Sequence, residues 1–224
     1  MLKRFVFLIL LILFFGCVTQ QNTTSNSTQI KLQVDFFCYS FEADPLLDCT
    51  INESQIKDTL SEVNLIWEQA NIEWVFGSFN LEQISSNDFA LKGNETPIQI
   101  KESLLEISPV TTNGDSTWKV VIIRNFPSPV NSAGLYLPAS HTIYFAETKK
   151  NNSAFIEVKP YVLAHELGHS LSLAHTEKDL VDNLMGPGAV SATLPTLTVE
   201  QIEKVKTQAL KGPADPNEMP VYND

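Results

Sequence analysis

His165, Glu166, His169 and His175 fall close together in the run Ala164-His165-Glu166-Leu167-Gly168-His169-Ser170-Leu171-Ser172-Leu173-Ala174-His175. On an α-helix, residues spaced as His165 and His169 share one face one turn apart, so both imidazoles can reach a single ion. Glu166 is displaced around the helix and can touch a water on that ion without taking a ligand position. Two ligands and a general base is the physical content of the pattern H-E-x-x-H. His175 poses a geometric problem. Six residues past His169, a continued helix at ~1.5 Å per residue carries it ~9 Å along the axis and onto another face. It reaches the same ion only if the helix ends and the chain turns sharply near Ser172. Three neutral imidazoles then leave a fourth tetrahedral position for water. Zinc suits such a site at ~2.0–2.1 Å and acidifies the water it holds.

The elements around this run must hold it in place. Pro160 suits the first turn of the helix that carries His165 and His169. Upstream, Ile30, Leu32, Val34 and Phe36 alternate with polar residues as a strand over Ile30 to Tyr39. Thr50 and Glu53 have capping-box spacing, and Ile56, Leu60, Val63, Ile66, Trp67 and Ala70 recur at helical intervals to about Ala70. Ile72, Trp74 and Phe76 alternate as a second strand. Ile98 to Ile107 reads as a short helix, and Trp118 to Phe126 as a central strand. Gly134 to Leu137 and His141 to Ala146 read as a strand pair joined by a turn at Pro138. Thr198 and Gln201 cap a last helix bearing Ile202, Val205 and Ala209. The order predicts an α/β (α+β) domain, a sheet with helices on at least one face. His141 reads as a surface residue of a strand or loop.

The chain's 224 residues suffice for one domain, and 43% hydrophobic content supplies a core. Fifteen Lys and Arg against 26 Asp and Glu give a net charge of −11, which excludes a general nucleic-acid binder. Lys3 and Arg4 precede an apolar run from Phe5 to Phe15 that is too short to span a bilayer but has signal-peptide length. Gly16-Cys17 closes that run and resembles the lipobox of prokaryotic lipoproteins, whose cysteine is lipidated after cleavage. The resemblance implies a signal over residues 1–16, a polar tether over 17–29, export, and attachment to the cell membrane through Cys17. A plain secretory signal is the alternative. The catalytic domain is expected over 30–212, with an acidic, disordered tail over 213–224. In an oxidising compartment Cys38 and Cys49 can close one short loop, the alternative being two free thiols.

The eleven-residue run resembles the H-E-x-x-H-x-x-G-x-x-H signature of the metzincin clan of zinc endopeptidases. Asp182-Asn183-Leu184-Met185-Gly186 is similar to the clan's methionine-containing turn, and His175-Thr176 with Asn183-Leu184-Met185 most resembles matrixin- or pappalysin-type members. The chain departs from the clan at Ser172, where the signature has glycine. The resemblance implies a zincin domain: a twisted mixed sheet with one antiparallel edge strand, a long active-site helix, a Met-turn with Met185 as its hydrophobic floor, and a C-terminal helix. It implies one catalytic zinc on His165, His169 and His175, with Glu166 as general base. A peptide or protein substrate would lie extended along the edge strand at Gly134, Leu135, Tyr136 and Leu137, with pocket specificity from the loop near 187–196. Nothing in the pattern indicates calcium, and a monomer is expected. Neither Cys38 nor Cys49 sits in a cysteine-switch motif, so activation by propeptide removal is not expected. Two alternatives stand beside peptide hydrolysis: a surface lipoprotein that uses the fold for binding, and a zinc amidase acting on cell-wall peptide.

Overall fold

A computed structural model describes residues 28–91, 94–110, 116–151, 154–176, 180, 182–186 and 194–218. The expected signal, Cys17 and most of the expected tether lie outside these residues, as does most of the loop after Met185. A five-stranded sheet carries strands in the order β2-β1-β3-β5-β4. These are β1 (Ile30–Phe41), β2 (Ile72–Ile84), β3 (Trp118–Ile123), β4 (Gly134–Leu137) and β5 (Thr142–Ala146). β1 runs parallel to β2 and β3, β3 runs parallel to β5, and only β4 is antiparallel. The helices are α1 (Glu53–Trp67), α2 (Pro97–Glu106), α3 (Pro160–Ser170) and α4 (Val199–Ala209).

Both faces of the sheet are covered, which explains why every residue of β3 is buried and why its sequence, Lys119 aside, runs apolar without alternation. On one face Val34, Phe36, Val120 and Ile122 pack with Ile56, Val63 and Trp67 of α1, Leu163 and Leu167 of α3, and Val205 of α4. On the other, Tyr39, Val121, Ile123 and Tyr144 pack with Ile100 and Leu104 of α2. Trp67, Trp74 and Trp118 meet edge to face, with ring centroids 5.9 and 5.4 Å apart. Trp118 Nε1 donates to Ser170 Oγ at 2.9 Å, tying α3 to the central strand.

Several elements differ from the sequence-based expectation. The capping box at α1 is built by Asn52 and Gln55, because the Thr50 hydroxyl is drawn off to the Glu147 carboxylate. β2 extends to Ile84, since pairing with the whole of β1 continues beyond a register shift at Val34/Phe36. A short hairpin, Thr148–Asn151 with Ala154–Glu157, precedes α3 and was not anticipated. We label its strands β6 and β7. The expected tail disorder does not hold for 213–218. The Ala214 N–H donates to Ser170 O at 2.8 Å, and Ala214 O accepts from the Tyr136 hydroxyl at 2.7 Å. Ala214 is thereby fully buried between α3 and β4. No helix of the described residues is long and apolar enough to cross a membrane.

Cys38 and Cys49 form a disulfide that fastens β1 to the segment leading into α1. Converting both to serine is expected to lower stability by ~2–3 kcal/mol, the loop-entropy value for so short a bridge. A denaturant titration reads this as a lower midpoint for the variant, and reductant should reproduce the loss in the parent chain only.

Candidate metal centre

α3 starts at Pro160 without a side-chain cap and is buried along Leu163, Ala164, Leu167 and Gly168. This anchors the turn that carries His165 and His169. The helix ends in a Schellman arrangement. Ser172 N–H donates to His169 O at 2.8 Å, and Leu173 N–H reaches back to Gly168 O at 3.0 Å. Ser172 takes φ 66°, the left-handed conformation expected at this position. The chain therefore reverses, and His175 swings back to the other two imidazoles.

The ring nitrogens converge. His175 Nε2 lies 3.2 Å from His165 Nε2 and 3.1 Å from His169 Nε2. The other nitrogen of each helical histidine is held by a backbone carbonyl: His165 Nδ1 by Leu184 O at 2.7 Å, His169 Nδ1 by Leu173 O at 2.8 Å. A carbonyl can only accept, so each Nδ1 carries the proton and each Nε2 presents a lone pair. His175 can donate its single Nε2 proton to one of them at most. At least one of the two close contacts therefore has no proton between its nitrogens, an arrangement that a cation held by all three resolves. A tetrahedral ion with ~2.0–2.1 Å bonds spaces its nitrogens ~3.3–3.4 Å apart, close to the separations seen here. Burial lowers His165 to about 4 and His169 to about 3, with neighbouring imidazoles pushing the same way, so both rings are neutral at physiological pH. His165, His169 and His175 are the cluster among the described residues able to hold a metal ion. His141 stays in the β4–β5 turn with φ 54° and is not part of it.

Glu166 is buried beside the cluster. Burial pushes its carboxyl up to about 8, against a hydrogen bond from the Tyr136 backbone that lowers it. Its carboxyl lies over Gly134, where an added Cβ would sit 2.5 Å from Glu166 Cγ and 2.7 Å from Oε1. Gly134, Leu135 and Tyr136 of the edge strand line one cleft of about 510 Å³ together with His165, Glu166, His169 and His175. Leu137 does not line it; Pro138 does. Ser132 Oγ donates to Gly134 O at the start of the same edge.

Met185 is fully buried beneath α3, its sulfur 2.6 Å from where a Cβ on Gly168 would stand. Gly168 thus makes room for the methionine turn. Asn183 fixes that turn: its Oδ1 accepts from Met185 N–H at 2.9 Å and from Gln201 Nε2 at 3.1 Å. Sequence spacing singled out neither Gly168 nor the Asn183–Gln201 pair, because their roles depend on contacts between distant elements. The 3.6-residue period could have flagged Gly168, since it lies on the buried side of α3.

Ser172 bears two costs, a left-handed backbone and a buried hydroxyl with no hydrogen-bond partner among the described residues. Ser172→Gly is expected to relieve ~1–2 kcal/mol of backbone strain in the metal-free domain, read as a higher thermal midpoint. Ser172→Val is expected to lower it, because a β-branched residue resists positive φ.

No family model matches the chain, and no curated protein does either. Among solved structures, one described as a chaperone–substrate complex is similar at a TM-score of 0.43 and 14% identity. The match covers 83% of this chain and 36% of that one, so this chain spans about a third of the other's length.

Proposed function

We propose that the protein is a zinc-dependent endopeptidase of the metzincin type that acts outside the cytoplasm and is held to the membrane through a lipid on Cys17. The observation that carries this reading is the convergence of three imidazoles, two of them with their tautomer fixed by carbonyls, in a cleft that also holds Glu166. His165, His169 and His175 would hold the ion. When bound, zinc supplies a Lewis acid that polarises the scissile carbonyl and acidifies a water. Glu166 takes the proton of the attacking water and passes it to the leaving amine nitrogen. Its burial favours the proton-holding form, as a group that must also act as an acid requires. The edge strand β4, whose Gly134, Leu135 and Tyr136 line the cleft, orients an extended peptide beside these groups.

The test is metal analysis of the purified protein together with hydrolysis of unstructured protein and of cell-wall peptide, with and without chelator. One zinc per chain and chelator-sensitive cleavage of protein substrate are expected. Cleavage confined to cell-wall peptide would point to an amidase, and zinc binding without turnover to a binding lipoprotein. For the anchor, Cys17→Ser is expected to move the protein from the membrane fraction to the soluble fraction with its activity intact. A variant that still sedimented with membrane would indicate an uncleaved apolar segment instead.

A further inference from the structure

Tyr136 is held at both ends. Its backbone N–H donates to the Glu166 carboxyl, and its ring hydroxyl donates to Ala214 O at 2.7 Å in a buried contact. The segment that brings Ala214 there is built, not loose. Gly212 takes φ 109° and turns the chain at the end of α4. Gln208 of α4 is buried, and its Nε2 donates to Gly212 O and to Glu218 Oε2, both at 3.1 Å. Glu218 Oε2 also accepts from Asp215 N–H at 3.3 Å, and Lys211 Nζ lies 3.4 Å from Oε1. Residues 212–218 thus form a closed strap. Inside it, Ala214 N–H satisfies Ser170 O, a last-turn carbonyl of the kind that has no partner within its own helix. Ala214 therefore ties, through its own N–H and C=O, the helix that carries Glu166 to the strand whose N–H holds the carboxyl. Such a tie matters because β4 has four residues and, among the described residues, pairs with β5 alone. Short edge segments with few partners open most readily.

We propose that Tyr136 is a positioning residue for the catalytic base, and that the strap after α4 completes the active site by anchoring it through Ala214. The inference rests on the peptidase reading given above. The phenol–carbonyl bond fixes the stretch of β4 that presents its N–H to Glu166, so the carboxyl keeps one orientation in the cleft. The hydroxyl is bound to Ala214 inside the fold and not to the reacting atoms, so its effect belongs in kcat rather than in KM.

The experiment compares two variants of the zinc-loaded protein: Tyr136→Phe, which deletes only the hydroxyl, and Ala214→Leu, which crowds the buried strap. Tyr136→Phe is expected to lower kcat about tenfold while KM and zinc content hold, the scale of one buried hydrogen bond. 4-Aminophenylalanine at position 136 supplies a donor at the same place and should recover most of the rate. In the Glu166→Gln background Tyr136→Phe should have no further effect, because the group it positions is already gone. A second readout needs no metal. In metal-free protein the amide of residue 136 should exchange with solvent about tenfold faster in Tyr136→Phe, and in Ala214→Leu, than in the parent. If Ala214→Leu fails to fold, Tyr136→Phe carries the test alone. Unchanged exchange at that amide, or a parental kcat, would overturn the inference and leave the peptidase reading intact. So would a higher KM at constant kcat, which would make the tyrosine a substrate contact, or an equal fall in kcat and zinc content, which would make its role purely structural. Parent protein that binds zinc but cleaves no peptide would defeat both readings.

Discussion

Glu166→Gln is expected to keep one zinc per chain and lose roughly 10²–10⁴-fold in kcat, the span attributed to a positioned general acid–base. The separation follows from geometry. Among the described residues the cluster that could hold a metal is His165, His169 and His175, and Glu166 stands beside it in the cleft. Glutamine has the same shape and can still accept the Tyr136 N–H, so the cleft should keep its form. Metal analysis and peptide hydrolysis on the same preparation check both halves. Near-parental turnover would remove Glu166 from the mechanism, and loss of zinc would make it a ligand.

The same variant tests the burial of the carboxyl. Burial raises Glu166 from 4.5 to about 8 in the metal-free fold. The folded state therefore keeps a proton that the unfolded chain has lost. The stability this contributes is complete below about pH 4.5, and it drains away as pH rises through about 8. Thermal melts of chelated protein should show an alkaline decline between those limits that Glu166→Gln lacks. Parallel profiles would mean that the carboxyl is solvated.

The parts of the site that were legible in sequence are those set by local geometry. Helical spacing alone placed His165 and His169 on one face. The impossibility of a straight helix through His175 required a break at Ser172, and φ 66° there is that break. Apolar periodicity found α1, α4, β1 and the start of β2 because each buries a regular face, whereas β3 stood out as a nearly continuous apolar run because it is buried on both faces. Legibility fails where tertiary contacts decide between local alternatives. Thr50 and Asn52 are both competent caps, and the Glu147 carboxylate, far along the chain, takes Thr50 out of contention. The segment 213–218 looks like a solvated tail by composition, yet Ala214 fills a gap between α3 and β4 and satisfies backbone groups there. β6 and β7 are short and carry little apolar pattern, so nothing local marks them. Gly134 was legible only as part of an edge strand, since its contact with Glu166 depends on how α3 lies across the sheet.

That contact supports the second large effect. Gly134→Ala is expected to lower kcat/KM by on the order of 10²-fold while zinc content stays the same, the scale of misplacing a catalytic group by about 1 Å. The new Cβ would stand 2.5 Å from Glu166 Cγ, 2.7 Å from Oε1 and 2.9 Å from Cδ. No carbon fits at such distances, so either the glutamate or the strand must move. Glu166 is 7% exposed and tied to the Tyr136 N–H, which leaves its carboxyl little room to swing aside. Among the described residues β4 is the sheet edge and pairs with β5 alone, so part of the strain goes there, at ~1–3 kcal/mol of stability for an overpacked site. A simple loss of folding would lower activity and zinc content together, whereas displacement of the base lowers activity alone. Gly134 also lies where substrate would run, and the kinetic constants separate the two roles: a lost substrate contact raises KM, a displaced base lowers kcat. The double variant Gly134→Ala with Glu166→Gln decides the matter. If glycine acts by positioning the carboxylate, the double variant is no slower than Glu166→Gln, because the group it positions is already gone. A further hundredfold drop in the double variant would show that Gly134 works independently of Glu166.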